Sequence, residues 1–127
     1  ALSLSYGMKP SASVQIEING ELYQETSSGD GQYDALMKAL RIIYDRLGKS
    51  YPVLTDYQVS IPPGGRTDAL VETVITWDHN GKEFKTRGLD ADQTESAIKA
   101  TEKMLNIIDN KENTINADNL IKVTHEH

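Results

Sequence analysis

Two segments of this chain carry residue types suited to a small molecule with both charged and apolar parts. The first, residues 29–35 (Gly-Asp-Gly-Gln-Tyr-Asp-Ala), leads from a glycine-rich loop into the first turn of a predicted helix. A helix N-terminus presents backbone N–H groups and a positive dipole end, so it can hold a carboxylate. Asp34 either holds an ammonium group or only complements the helix dipole. Tyr33 either forms a pocket wall or packs in the core.

The second segment covers residues 54–71 and reads Leu-Thr-Asp-Tyr-Gln-Val-Ser-Ile-Pro-Pro-Gly-Gly-Arg-Thr-Asp-Ala-Leu-Val. Its alternation predicts a strand with Tyr57, Val59 and Ile61 on one face. Ordinary core packing explains such a face. An apolar face beside a polar loop is also what a small amphipathic ligand requires, so both interpretations stay open. The stretch Pro62–Gly65 predicts a tight turn and matches no dinucleotide fingerprint.

Residues suited to catalysis or metal binding are scarce. The chain has no cysteine, which excludes disulfides, thiolate metal sites and a cysteine nucleophile. His79 falls in a predicted hairpin turn, where a solvated side chain is expected. The run His125-Glu126-His127 has no further ligand motif near it, so we predict no metal site there. The sequence therefore predicts neither a catalytic residue nor a metal or cofactor site in this domain.

Composition limits the class of partner. The net charge of −6 over 127 residues, with an isoelectric point near 5.0, argues against nucleic acid and anionic membrane surfaces, which favour basic patches. No apolar run approaches the ~20 residues of a membrane span, and no signal peptide is recognisable. We expect a cytoplasmic protein, and the start at Ala1 instead of Met suggests a piece of a longer one.

The chain repeats itself at a constant offset. Asn19-Gly20 recurs as Asn80-Gly81, Gln32 as Gln93 and Lys38-Ala39 as Lys99-Ala100, and the differences 80−19, 93−32 and 99−38 all equal 61. A duplication of this size predicts one supersecondary unit made twice, whose copies bury their apolar faces against each other. The seam between them is a natural place for a ligand or a second subunit.

The predicted elements repeat with the same offset. In unit one, strands at residues 14–18 and 21–26 flank an Asn-Gly turn, loop 27–31 follows, and a helix covers 32–47. In unit two, strands at 57–61, 70–78 and 83–87 precede loop 88–91 and a helix at 92–108. A further edge strand within residues 1–12 completes the plan of β-β-β-α twice. We therefore predict an α+β domain with helices packed on antiparallel sheet.

The predicted organisation is a single domain over residues 1–127. Repeat unit one covers about 1–48, repeat unit two about 54–109, and a polar tail follows at 110–127, in which Leu120, Ile121 and Val123 are able to pack as a last short element.

These motifs together resemble a known family. Residues 57–61, 65–69 and 71–74, then 88–97 and 104–106, resemble the C-terminal regulatory domain of the 2-isopropylmalate synthase and citramalate synthase family. Residues 29–35 match its first-repeat motif Gly-x-Gly-Pro-x-Asp-Ala, except that Gln32 replaces the proline. The resemblance covers nearly the whole chain, and it is strongest to the isoleucine-regulated (R)-citramalate synthases.

The resemblance implies a function. The family's catalytic part is a metal-dependent TIM barrel that condenses acetyl-CoA with a 2-oxo acid, so this chain is expected to be the non-catalytic regulatory domain of such an acyltransferase. In the family this domain forms a homodimer and binds the branched-chain end product at the dimer interface. Isoleucine is the expected effector. The alternatives are a leucine-binding domain of 2-isopropylmalate synthase and a purely structural dimerisation domain.

The family's binding positions map onto seven residues of this chain, namely Tyr33, Asp34, Leu54, Tyr57, Ile61, Thr67 and Val71. The resemblance assigns the four apolar members of the second segment to the aliphatic side chain of the effector. Tyr33 would wall the pocket. From charge alone, we expect Asp34 to meet the ammonium group, and Thr67 with nearby backbone N–H groups to meet the carboxylate.

Overall fold

The elements were located in a computed structural model that describes residues 10–62, 70–109 and 123–126. In chain order they are β1 (Ser11–Ile18), β2 (Glu21–Ser28), α1 (Gln32–Arg46), β3 (Val53–Ser60), β4 (Val71–His79), β5 (Lys82–Asp90), α2 (Gln93–Asp109) and β6 (Val123–Glu126). Both predicted helices are present with nearly the predicted bounds. The predicted α+β class is confirmed.

The strands form two antiparallel three-stranded sheets, with strand orders β2-β1-β6 and β3-β4-β5. In the first sheet β6 lies beside β1, as β3 lies beside β4 in the second. The tail thus forms a last short element that includes Val123, as predicted, while Leu120 and Ile121 lie outside the described residues. Of the predicted edge strand within residues 1–12, Ser11 and Ala12 belong to β1 and residues 1–9 lie outside the described part.

The two hairpins are geometrically equivalent. Asn19 and Gly20 have φ angles of 53° and 82°, and Asn80 and Gly81 have 55° and 85°. Positive φ at both central residues is the requirement of a type I′ turn, which matches the twist of the paired strands and favours Asn-Gly. The pairs Ile18–Glu21 and His79–Lys82 that close the turns share the offset of 61. The predicted duplication is thus reproduced in backbone geometry.

Each helix covers the sheet of its own unit. Helix α1 packs on β1 and β2, α2 packs on β4 and β5, and the two helices contact each other. Apolar residues of both units form one core cluster, which includes Val14, Ile16, Leu36, Leu40, Ile75, Trp77, Met104 and Leu105. The two copies therefore bury their apolar faces together, as the repeat predicted.

The predicted loops before the helices are too long. Ser27 and Ser28 belong to β2, and Gly88 to Asp90 belong to β5. Pairing with β4 continues through Thr73 opposite Gly88 and Val71 opposite Asp90, so the ladder holds these residues extended. Gly88 also lacks a side chain where α2 approaches, because a Cβ there would lie 1.8 Å from the carbonyl oxygen of Ser96.

The contact at Gly88 predicts a large cost for adding one methyl group. Gly88→Ala places that Cβ against the backbone of α2. We expect the free energy of unfolding to fall by about 1–3 kcal/mol or more, as in other overpacked cores. Gly31→Ala is the comparison variant, since a Cβ there meets nothing within 4 Å and only the smaller cost of alanine at an N-cap, about 1 kcal/mol, is expected. Urea unfolding at unchanged m-value measures both. Equal stability of the two variants would contradict the close approach of α2.

Candidate functional site

The first turn of α1 meets the middle of β3 through two tyrosines. The rings of Tyr33 and Tyr57 lie 5.8 Å apart between centroids, tilted by 44°. Both side chains are partly buried and pack against the common core. Two predicted site residues that are distant in sequence are thereby brought together, one from each repeat unit.

The hydroxyl of Tyr33 reaches across to α2. It lies 2.5 Å from Oγ1 of Thr101, which in turn lies 2.8 Å from the carbonyl oxygen of Ala97. Burial raises the pKa of the Tyr33 phenol well above its usual value. Tyr33 is therefore a neutral hydrogen-bonding group at physiological pH.

A β-bulge decides which residues of β3 share a face. Leu54 lies opposite Trp77 and Tyr57 opposite Ile75, with the register shift between Leu54 and Asp56. Strict alternation would place residues 54 and 57 on opposite faces, because their spacing is odd. The extra residue in the bulge restores them to one face. Sequence periodicity did not reveal this bulge.

The face of β3 beyond Tyr57 is left uncovered. Val59 lies opposite Thr73, whose buried hydroxyl is 2.5 Å from Oγ of Ser96 on α2, so Val59 is on the helix side of the sheet. Nevertheless Val59 is 39% exposed and Ile61 66% exposed. Core packing within one chain therefore does not explain this apolar face.

Val71 extends the same uncovered face onto β4. Ser60 pairs with Glu72, so the register continued by one residue sets Ile61 opposite Val71. Alternation puts Val71 on the face of Thr73. The predicted apolar residues thus form one surface, which we call the apolar strip: Leu54, Tyr57, Val59, Ile61 and Val71.

The carboxylate of Asp34 already has local partners. It accepts a hydrogen bond of 2.9 Å from the backbone N–H of Asp30, and Nζ of Lys38 lies 3.5 Å away. Its side chain is 45% exposed. Asp34 thus helps to shape the helix start, in line with the local interpretation, and remains accessible to a further cationic group.

The N-termini of the two helices differ in their caps. In α2, Oδ1 of Asp92 accepts a hydrogen bond of 3.0 Å from the backbone N–H of Glu95. In α1, Gly31 is the N-cap and offers no side-chain acceptor. The acidic group at the start of α1 is instead Asp34 in its first turn, so α1, unlike α2, carries no negative charge at the cap position itself.

Two residues complete the account of the site. Thr67 lies outside the described residues, so its predicted role stays a prediction. Thr101 was missed by sequence reasoning. The available signal was its place in the repeat, because Thr101 stands 61 positions after the apolar Leu40.

The described part of the chain shows neither a metal-binding cluster nor a membrane-spanning helix. No group of three or more His, Asp or Glu side chains there is arranged to hold a metal ion. No helix in the same ranges is long and apolar enough to cross a lipid bilayer. The terminal run with His125 and His127 falls beyond the described side chains.

Comparison with known proteins supports one family. Residues 2–108 match the family model described as the LeuA allosteric (dimerisation) domain. A 2-isopropylmalate synthase of Yersinia pestis (strain Pestoides F) is 38% identical over 98 residues, which cover 76% of this chain and 18% of that protein. A probable 2-isopropylmalate synthase of Methanopyrus kandleri is 37% identical over 92 residues, covering 72% of this chain and 18% of that protein. The chain thus matches under a fifth of the length of these relatives.

Burial of tyrosines in and near the site predicts alkaline instability. Burial raises the pKa of Tyr33, Tyr44 and Tyr51 above the usual 10.0. Above pH 10.0 the unfolded chain loses these protons while the folded chain keeps them, so stability falls as pH rises. Tyrosinate absorbance should therefore increase together with loss of circular dichroism, and Tyr51→Phe should reduce the amplitude. Ionisation of all tyrosines in the folded protein near pH 10 would refute this.

Proposed function

Since the chain belongs to the family of LeuA allosteric (dimerisation) domains, we propose that it is a feedback-regulatory domain that binds a branched-chain amino acid, isoleucine foremost, at a homodimer interface. The observation that carries the proposal is the apolar strip, which meets Tyr33 of the first α1 turn at Tyr57 and continues to the exposed Val59 and Ile61. A small apolar side chain and two charged groups match this combination of surfaces.

The proposed binding mode follows the chemistry of the surfaces. The aliphatic side chain of the effector lies on the apolar strip, with Tyr33 as a wall. The ammonium group meets Asp34, where it shares the carboxylate with Lys38. The effector carboxylate lies at the start of α1, with Thr67 as a further donor. Backbone N–H groups and the helix dipole favour an anion there.

A second copy of the chain would complete the site. Ile61 at 66% and Val59 at 39% exposure leave one side of the proposed pocket open in the single chain. A typical small-ligand site buries 70–90% of the ligand, which this open surface would reach only with a cover. We therefore place the effector between two subunits, in line with the dimerisation role in the family's description.

The parent enzyme is part of the proposal. The named relatives are 2-isopropylmalate synthases, and we infer a parent acetyl-CoA-dependent acyltransferase of the cytoplasm. Its TIM-barrel part would use a divalent metal and acetyl-CoA, while this domain would be non-catalytic. The resemblance in the motifs favours a citramalate synthase with isoleucine as effector. Leucine is the second candidate, supported by the names of the relatives, and a purely structural dimerisation domain is the third.

Calorimetric titration with isoleucine, leucine and valine tests the proposal. We expect one of them to bind and to raise the melting temperature. Ile61→Ala should weaken that binding by about 5–100-fold, since a hydrophobic pocket gains about 1–3 kcal/mol per group it contacts. Val53→Ala is the matched control at the other end of β3, because Val53 is similarly exposed at 61% and lies outside the proposed pocket. No heat and no thermal shift with any of the three would refute effector binding.

The role of Asp34 predicts a charge-specific effect. Asp34→Asn keeps an oxygen that can accept the Asp30 N–H bond but removes the negative charge, so effector affinity should fall by about tenfold or more. Lys38→Met removes the neighbouring ammonium and should leave affinity unchanged or slightly higher. The same titrations measure both variants. Wild-type affinity of Asp34→Asn would show that the effector ammonium lies elsewhere.

A further inference from the structure

A buried hydroxyl lies in the middle of α2 at a position where the first repeat has leucine. Thr101 and Leu40 are both 0% exposed, and 101−40 gives the repeat offset of 61. Leucine fills such a position with a higher helix propensity and no polar group. A buried threonine hydroxyl instead requires hydrogen-bond partners. Filling the core alone therefore does not account for the residue type.

The hydrogen bonds around Thr101 have a defined direction. The carbonyl oxygen of Ala97, 2.8 Å from Oγ1 of Thr101, is an acceptor only, so the single hydroxyl proton of Thr101 goes there. Across the 2.5 Å contact with Tyr33, the phenol must then donate. The result is a chain from Tyr33 through Thr101 to the backbone of α2, in which each bond strengthens the next.

This chain fixes the ring of Tyr33 at both ends. The backbone of Tyr33 is part of the first turn of α1, and its hydroxyl is held by α2. Between them the ring lies 5.8 Å from that of Tyr57. Without the acceptor, the phenol would be buried with an unsatisfied hydroxyl or would rotate towards water. Either outcome shifts the wall that Tyr33 presents to the apolar strip.

The interaction has no counterpart in the other half of the duplication. The repeat equivalent of Tyr33 is Thr94, since 33+61 is 94, and that of Thr101 is Leu40. Leu40 has no polar side-chain atom, so the equivalent hydrogen bond cannot form. The bond between the units therefore forms once, at the start of α1, where no side chain caps the helix. An amino acid is itself asymmetric, so one such wall in the pseudo-symmetric fold is sufficient.

We propose that Thr101 is a positioning residue for effector binding: it accepts the hydrogen bond of Tyr33 and thereby holds the Tyr33 ring as a wall of the site without touching the effector. This inference rests on the proposed function and extends it to a residue of α2. The wall couples the effector to α2 because the ring moves only if the bond to α2 lengthens or breaks.

Calorimetry on the 127-residue chain with isoleucine, leucine and valine tests this role. Thr101→Val is nearly isosteric and removes the hydroxyl, so we expect affinity for the bound amino acid to fall by about tenfold. Tyr33→Phe should reduce affinity by a similar factor. The double variant should bind the amino acid no more weakly than the weaker-binding of the two single variants. Thr101→Ser keeps the hydroxyl and should stay within about threefold of wild type.

A stability control separates positioning from general weakening of the core. Thr86 is another buried threonine, and its hydroxyl links Nε1 of Trp77 to the carbonyl oxygen of Ala100. Thr86→Val should lower the melting temperature as Thr101→Val does but leave affinity unchanged. If the Thr101→Val protein does not fold, the comparison of Tyr33→Phe with Thr101→Ser decides.

The outcomes are distinguishable. Absence of binding by the wild-type chain would overturn the proposed function and this inference with it. Normal binding by the wild type and equally normal binding by Thr101→Val or Tyr33→Phe would overturn the positioning role alone. Additive losses in the double variant, or equal losses in Thr86→Val, would also overturn it, because they would indicate independent contacts or a general loss of packing.

Discussion

The constraint on which the structure depends is that two duplicated units share one core through their helices. The apolar faces of α1 and α2 join a single buried cluster, and polar contacts bind the helices together at two points. One is the bond between Tyr33 and Thr101. The other is at Asp109, which accepts from Tyr44 and pairs with Lys49. Residues 33 and 44 of α1 thus meet residues 101 and 109 of α2 in the same order, so the two helices run parallel. Each helix also covers the sheet of its own unit.

Covering the sheets in this way leaves part of one of them exposed. Strand β3 is an edge strand, and α2 packs on β4 and β5 instead. The helix-side residues at the end of β3, Val59 and Ile61, remain accessible to solvent. An exposed apolar edge is a liability for a protein that stays alone, because edge strands promote unwanted association. It is useful where a ligand and a second subunit cover it, which is why the uncovered strip and a dimeric effector site fit one explanation.

The two repeat units have similar backbones but differ in the polar side chains of their helices. Helix α2 carries buried hydroxyls where α1 has aliphatic groups, as in Ser96 against Ala35. It also has an aspartate cap where α1 has glycine. Buried hydroxyls fix distances because each needs a partner at hydrogen-bond range. The two units therefore share a backbone plan but differ in the polar contacts that fix their helices.

The sequence by itself determined the repeat, the α+β class, both hairpins and both helices, because these depend on local periodicity and on residues such as Asn-Gly that suit one backbone geometry. It also drew attention to Tyr33, Asp34 and the segment from Leu54 to Val71. Only the tertiary structure decided that Tyr33 meets Tyr57, that a bulge restores Leu54 to the same face, and that β6 completes the first sheet. The hydrogen bond between Tyr33 and Thr101 also required it. These features join residues distant in sequence or break strict alternation, and long-range packing rather than local propensity fixes them.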